Sequence, residues 1–135
     1  MSGTVLADTG PLYAAVDPSD DHHERAQEDI GRLNSEDLGI AVAYPTLCEC
    51  YSLVLYKLGT GVARGWLREV EGGSFLMNPT PEDFREATSL ISGYQDQALS
   101  MFDAVTAVVS RRLGLPVWTY DHHFDVVRVE VWREV

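Results

Sequence analysis

The stretch Thr4-Val5-Leu6-Ala7-Asp8-Thr9-Gly10-Pro11-Leu12 decides the fold class. Its first four residues are a short, β-rich apolar run closed by Asp8. Gly10-Pro11 then turns the chain, with proline near the first position of a helix over Leu12–Val16. The same grammar repeats downstream. Leu38–Tyr44 and Ser74–Asn78 read as strands, and Val117–Tyr120 as a fourth that ends on Asp121. Between them lie helical patterns over His22–Leu33, Pro45–Leu58, Thr60–Glu71, Glu82–Tyr94 and Ser100–Leu113, where apolar residues recur at spacings of three and four. The fourth would turn Phe84, Ala87, Leu90 and Ile91 inward, and Gly114 would end the fifth. A loop or turn at Asp121–Asp125 then leads to Val126–Trp132, whose alternating Val127, Val129 and Val131 predict a half-exposed final strand.

Short strands alternating with helices imply crossover connections. The fold class is therefore α/β, a three-layer α/β/α domain with a mostly parallel four- to five-stranded sheet and helices on both faces. The 135 residues suffice for one core and suggest a single domain over 1–135. In such folds ligands bind at the carboxyl ends of the strands, where Asp8 and Asp121 lie.

Two further acids matter. Asp103 interrupts the uncharged stretch Ala98–Ser110 and shares a polar seam with Thr106 and Ser110 on an otherwise apolar helix. Glu49 lies in the helix after the second strand, opposite the Leu47–Tyr51–Val54–Leu58 stripe. Each acid has a plain structural alternative: Asp8 as a helix cap or Asx-turn, Asp103 in a capping box with Ser100, Asp121 as a turn residue, Glu49 as a solvated surface acid. What favours chemistry is convergence. Carboxylates gathered without cations repel one another, and one must stay protonated. A hard divalent cation with oxygen ligands removes that conflict, so the chain reads first as a metal-dependent enzyme.

Composition narrows the classes. Ten Lys+Arg against 21 Asp+Glu give a formal net charge of −11, which opposes broad nucleic-acid binding by phosphate neutralisation and suits a basic protein partner. Phosphate contacts then fall to local cations: Arg111, Arg112 and His122 foremost, with Arg25, Arg32, Arg64 and Arg68 as further candidates. No run approaches the roughly 18 apolar residues of a membrane span, and the first residues lack a basic segment followed by a long apolar core, so a cytoplasmic location is expected. Cys48 and Cys50 are expected as reduced, mostly buried thiols. His22-His23 and His122-His123 are adjacent pairs rather than i, i+4 ligands, which disfavours a histidine zinc site.

The motifs Val5-Leu6-Ala7-Asp8-Thr9-Gly10-Pro11-Leu12, Asp21-His22-His23-Glu24-Arg25-Ala26, Thr46-Leu47-Cys48-Glu49, Leu99-Ser100-Met101-Phe102-Asp103-Ala104 and Leu115-Pro116-Val117-Trp118-Thr119-Tyr120-Asp121-His122-His123-Phe124 together resemble the PIN-domain ribonucleases, most closely those of the VapC toxin type. The resemblance runs over nearly the whole chain. It implies that Asp8, Glu49, Asp103 and Asp121 are catalytic and metal-binding, with Thr9 and Ser100 in support and Asp125 an outer acid. It further implies Mg²⁺ or Mn²⁺ as cofactor, hydrolysis of single-stranded or looped RNA, silencing by a cognate antitoxin, and a homodimer. The sequence departs from the family in its extreme acidity and in His122-His123, which stands where a basic or polar pair is common.

Other functions fit less well. An aspartyl phosphatase needs an acid two residues after Asp8, where Gly10 stands. A receiver domain needs a lysine at the end of a late strand, and Lys57, the single lysine, lies mid-helix. A catalytically inactive module of the same fold, docking a basic partner in its acidic groove, remains the alternative to an enzyme.

Overall fold

Val5, Ala7 and Val42 pack to one side of the sheet, whereas Leu6 and Ala41 pack to the other. This two-residue period is that of strands buried on both faces. The computed structural model describes residues 3–133. Within them, β1 (Thr4–Ala7), β2 (Gly39–Ala43), β3 (Phe75–Met77) and β4 (Val117–Trp118) form one sheet of order β3-β2-β1-β4. Every pairing is parallel, so the expected architecture is observed with four strands.

The helices are α1 (Thr9–Ala14), α2 (His23–Ser35), α3 (Tyr44–Leu58), α4 (Thr60–Gly73), α5 (Pro81–Ser92), α6 (Met101–Leu113) and α7 (His123–Val126). Leu12, Leu33, Leu47, Val54 and Trp66 from α1–α4 fill the core on one sheet face. Ala87, Val105, Val108 and Phe124 from α5–α7 fill the other. Parallel strands need such crossovers, and the helices that make them cover both faces.

The strand order positions the site. From β1 the chain steps outward to β2 and β3, then returns to add β4 on the opposite side of β1. The order therefore reverses between β1 and β4, where doubly wound sheets open a crevice at their carboxyl ends. Register pairs Ala7 with Trp118, and the Asp8 amide donates to the Trp118 carbonyl at 2.9 Å. Asp8 and Thr119 thus emerge side by side.

Local chemistry fixes the helix ends. Thr80 and Asp83 form a reciprocal capping box at α5, with bonds of 2.9 and 3.1 Å. Gly114 closes α6 at φ 66, a left-handed conformation that favours glycine. Along α6, Ala104 to Ser110 are all buried, and Ser110 Oγ donates to the Leu115 carbonyl at 2.6 Å. No helix among the described residues is long and apolar enough to cross a membrane.

Four expectations are corrected. Val126–Trp132 is not a strand: Arg128 takes φ 61, the Val129 amide bonds back to Phe124, and Arg111 occupies the Val127 carbonyl. Val127 and Val129 are buried because this turn folds onto the core, and only Val131 makes an isolated bridge to Val117. The turn expected after Asp121 contains the short helix α7. Phe84 is exposed rather than inward, since Asp83 occupies the buried position on that turn of α5. Cys48 is exposed and Cys50 buried, both free, because residues two apart on a helix such as α3 point about 200° from one another.

Asp83 also links α5 to α6. Its buried carboxylate receives Nε and Nη2 of Arg112 at 2.8 and 2.7 Å, and the guanidinium holds its pKa below the ordinary carboxylate range. The link is therefore complete at neutral pH and is lost as pH falls through that lowered value. Asp83→Ala is expected to reduce the unfolding free energy by about 2–3 kcal/mol at pH 7. In urea titrations the gap from wild type should close in strong acid.

Candidate active site

Asp8 sits at the N-cap position of α1, yet its side chain makes no capping bond. Its Oδ2 accepts from Thr119 Oγ1 at 2.9 Å instead. The residue is 7% exposed, and burial lifts the carboxyl pKa to about 6 despite the Thr119 bond, with the charges of Asp103 and Asp121 adding to the rise. A carboxylate withheld from water and facing like charges is a poor structural device.

The segment after β4 brings the second acid. The Asp121 amide donates to Thr119 Oγ1 at 3.0 Å, so one hydroxyl bridges Asp8 to the Asp121 backbone. Asp121 Oδ1 accepts the His123 amide at 2.8 Å, realising the turn role open to it in sequence. His123 Nδ1 lies 2.9 Å from Asp121 Oδ1 and 4.0 Å from Asp103 Oδ2. It is out of line for a hydrogen bond and has no such partner. From α2, the buried Asp29 accepts Trp118 Nε1 at 3.1 Å and the Tyr120 hydroxyl at 2.6 Å, clamping residues on either side of Thr119.

Asp103 enters from the first turn of α6. Ser100 Oγ accepts its amide at 3.1 Å, fixing the helix start. Burial raises the Asp103 pKa, and the Asp121 charge raises it further. Glu49 arrives on α3 and accepts the Thr9 hydroxyl through Oε1. A cavity of about 480 Å³ is lined by Asp8, Thr9, Glu49, Asp103, Asp121 and His122 together with Gly10, Tyr13, Asp20, His22, Leu53 and Tyr120. All four acids singled out in the sequence thus share one wall, including Glu49, whose pattern alone suited a surface residue.

Other candidates lie elsewhere. Arg111 is engaged by the Val127 carbonyl and Arg112 by Asp83, and neither lines the cavity. Arg64 and Arg68 are exposed on α4. Asp125 pairs with Arg133 in a neighbouring groove. The sequence reading missed Thr119, Tyr120, Asp29 and Asp20. Thr119 was visible as the polar residue next to the last strand acid; Asp29 looked like one more acid on an amphipathic helix.

The donor set tests the expected cofactor. Among the described residues, no Lys or Arg lines the cavity. Asp8 and Asp103 are both shifted toward protonation, and a divalent cation would supply the positive charge that offsets their repulsion. Carboxylate oxygens suit a hard ion such as Mg²⁺ or Mn²⁺. Asp121, His122 and His123 also bring one potential ligand atom each within 4.8 Å of one another. The rings of His122 and His123 lie 4.4 Å apart.

A family model described as PIN domain matches residues 5–130. Ribonuclease VapC26 of Mycobacterium tuberculosis (strain ATCC 25618 / H37Rv) is 28% identical over 127 residues, spanning 92% of each chain. The crystal structure of M. tuberculosis VapC20, a sarcin-ricin loop cleaving toxin, matches with a TM-score of 0.83 at 18% identity, over 96% of this chain and 99% of its own. VapBC2 from Rickettsia felis, bound to a promoter DNA fragment, matches with a TM-score of 0.72 at 12% identity, over 95% and 96%. At these identities the two structures establish a common fold.

The raised Asp8 pKa has a stability consequence in metal-free protein. A carboxyl that titrates near 6 when folded and near 3.8 when unfolded destabilises the native state once ionised. The penalty is fully developed above pH 6 and absent well below pH 4. Asp8→Asn, which keeps an acceptor for Thr119, should therefore be more stable than wild type at pH 7.5 by about 2–3 kcal/mol. Chemical denaturation with chelator should show the difference vanishing toward pH 3.

Proposed function

The chain belongs to the PIN domain family, and from that premise we propose that it is a metal-dependent endoribonuclease, the toxin of a type II toxin–antitoxin pair. The observation that carries this reading is the meeting of Asp8, Glu49, Asp103 and Asp121 in one cavity at the strand-order reversal. The relative named Ribonuclease VapC26 supports RNA as the substrate. The match to a toxin–antitoxin complex from Klebsiella pneumoniae, with a TM-score of 0.60 at 15% identity over 87% of each chain, supports a cognate antitoxin as partner, and a net charge of −11 suits a basic one. A homodimer and a cytoplasmic setting complete the proposal.

Asp8, Asp103 and Asp121 would hold Mg²⁺ or Mn²⁺, with Glu49 as a further ligand or the base. Such a cation supplies a more acidic bound water and neutralises charge developing at phosphorus. The protein residues do the positioning. Thr119 holds the Asp8 carboxylate and the Asp121 backbone in one register. Ser100 fixes the turn that presents Asp103. Thr9 anchors Glu49 through Oε1, leaving Oε2 to accept a proton from water. His123 packs against both Asp121 and Asp103 and limits where those carboxylates can swing.

Two outcomes test the reading. With Mn²⁺ and a labelled single-stranded RNA, Asp8→Asn and Asp103→Asn should each lower cleavage by at least about 100-fold, while far-ultraviolet circular dichroism stays that of the wild type. An inactive wild-type protein would instead support the docking-module alternative. Separately, millimolar Mn²⁺ should raise the melting temperature of the wild type by several degrees and leave that of Asp8→Asn nearly unmoved. Equal shifts in both would place the cation elsewhere.

A further inference from the structure

The catalytic cavity has acids and histidines on its wall but, among the described residues, no Lys or Arg. A polyanionic strand therefore needs its cationic contacts beside the cavity. A second groove of about 220 Å³ shares Tyr120, Asp121 and His122 with the first, so the two adjoin across these residues. The remainder of its wall includes Arg25 and Arg133.

Arg25 differs from most arginines of this chain. Arg32, Arg85, Arg111, Arg112 and Arg133 each donate to a protein acceptor. Arg25 makes no hydrogen bond or ion pair among the described residues, yet it is held in place. Its guanidinium carbon lies 4.2 Å from the centroid of the Tyr120 ring. That ring is anchored by its hydroxyl, which donates to the buried Asp29 at 2.6 Å. Stacking orients the guanidinium plane without using its donors. Arg133 binds both oxygens of Asp125 through Nη2 alone, which leaves Nε and Nη1 free of protein acceptors among the described residues.

We propose that Arg25, laid on Tyr120, binds an RNA backbone phosphate flanking the scissile one, with Arg133 contributing from across the groove. The proposal rests on the ribonuclease reading and adds the path of the strand. RNA leaves the catalytic cavity over Asp121 and His122 toward α2. Arg25 is a binding residue in this scheme, and Tyr120 positions it. The site reads phosphate, not sequence. Short-range cations of this kind are what a chain of net charge −11 needs, since its overall field repels the substrate.

The test is the salt dependence of binding to a short, fluorescently labelled random-sequence single-stranded RNA. Ca²⁺ replaces Mn²⁺ so that the strand stays whole. Each phosphate contact on a single strand contributes about 0.7 to the slope of log affinity against log salt. Arg25→Gln should flatten the slope by about that amount, and Arg133→Gln should flatten it as well. Tyr120→Leu keeps the charge but removes the platform, and should weaken binding by severalfold. Arg85→Gln on α5 serves as control and should leave the slope unchanged. A retained Mn²⁺ thermal shift in Arg25→Gln separates the effect from misfolding. If the wild type cleaves RNA with Mn²⁺ but both arginine variants keep its slope, the subsite is wrong and the ribonuclease reading stands. An equal loss in Arg85→Gln likewise overturns it, since the attraction would then be diffuse. If the wild type neither binds nor cleaves RNA, both readings fall together.

Discussion

Repulsion among carboxylates that the fold forces together is the constraint around which this molecule is built. Asp8 is buried, and Asp103 and Asp121 press their charges on it. Left alone, that arrangement favours protonation and weakens the native state. The compensation comes from the scaffold. Two layers of helices enclose a parallel sheet whose central strands are buried on both faces. Stability is gathered there and in polar links such as Asp83–Arg112, far from the acids. The site is left with a charge imbalance that suits a divalent cation.

Topology converts this imbalance into a place. Because β4 joins the sheet beside β1 rather than beyond β3, the residues following the two strands emerge together. Thr119 then ties Asp8 to the backbone of Asp121 with one hydroxyl. Asp29 secures the segment from the α2 side by taking both Trp118 and Tyr120. Precision at a reactive centre commonly comes from such supporting contacts rather than from the reactive groups themselves. The Tyr120 ring serves two neighbours, as a wall of the acidic cavity and as the rest for Arg25.

The distribution of cations follows the same logic. Arg111 and Arg112 end α6, where basic residues complement the helix dipole, and both are engaged by protein acceptors. In the sequence both stood among the candidate phosphate contacts. Arg25 was less conspicuous, one charge on an amphipathic helix. Its distinction comes from the aromatic face beneath it, contributed by a residue nearly a hundred positions away.

The sequence by itself determined the alternation of strands and helices, because burial on two sheet faces and on one helix stripe leaves different periods in a linear chain. It also marked Asp8, Asp103 and Asp121, each interrupting or closing an apolar run, and Gly114 as a helix stop. It misjudged Val126–Trp132, since valines at every second position report burial but not whether a strand or a turn delivers it. Only the tertiary structure decided that Glu49 belongs to the site, that Thr119 and Asp29 support it, and which arginine lies free beside it. Those are contacts between segments far apart in the chain. Such contacts depend on strand order and register, which the local pattern of side chains does not encode.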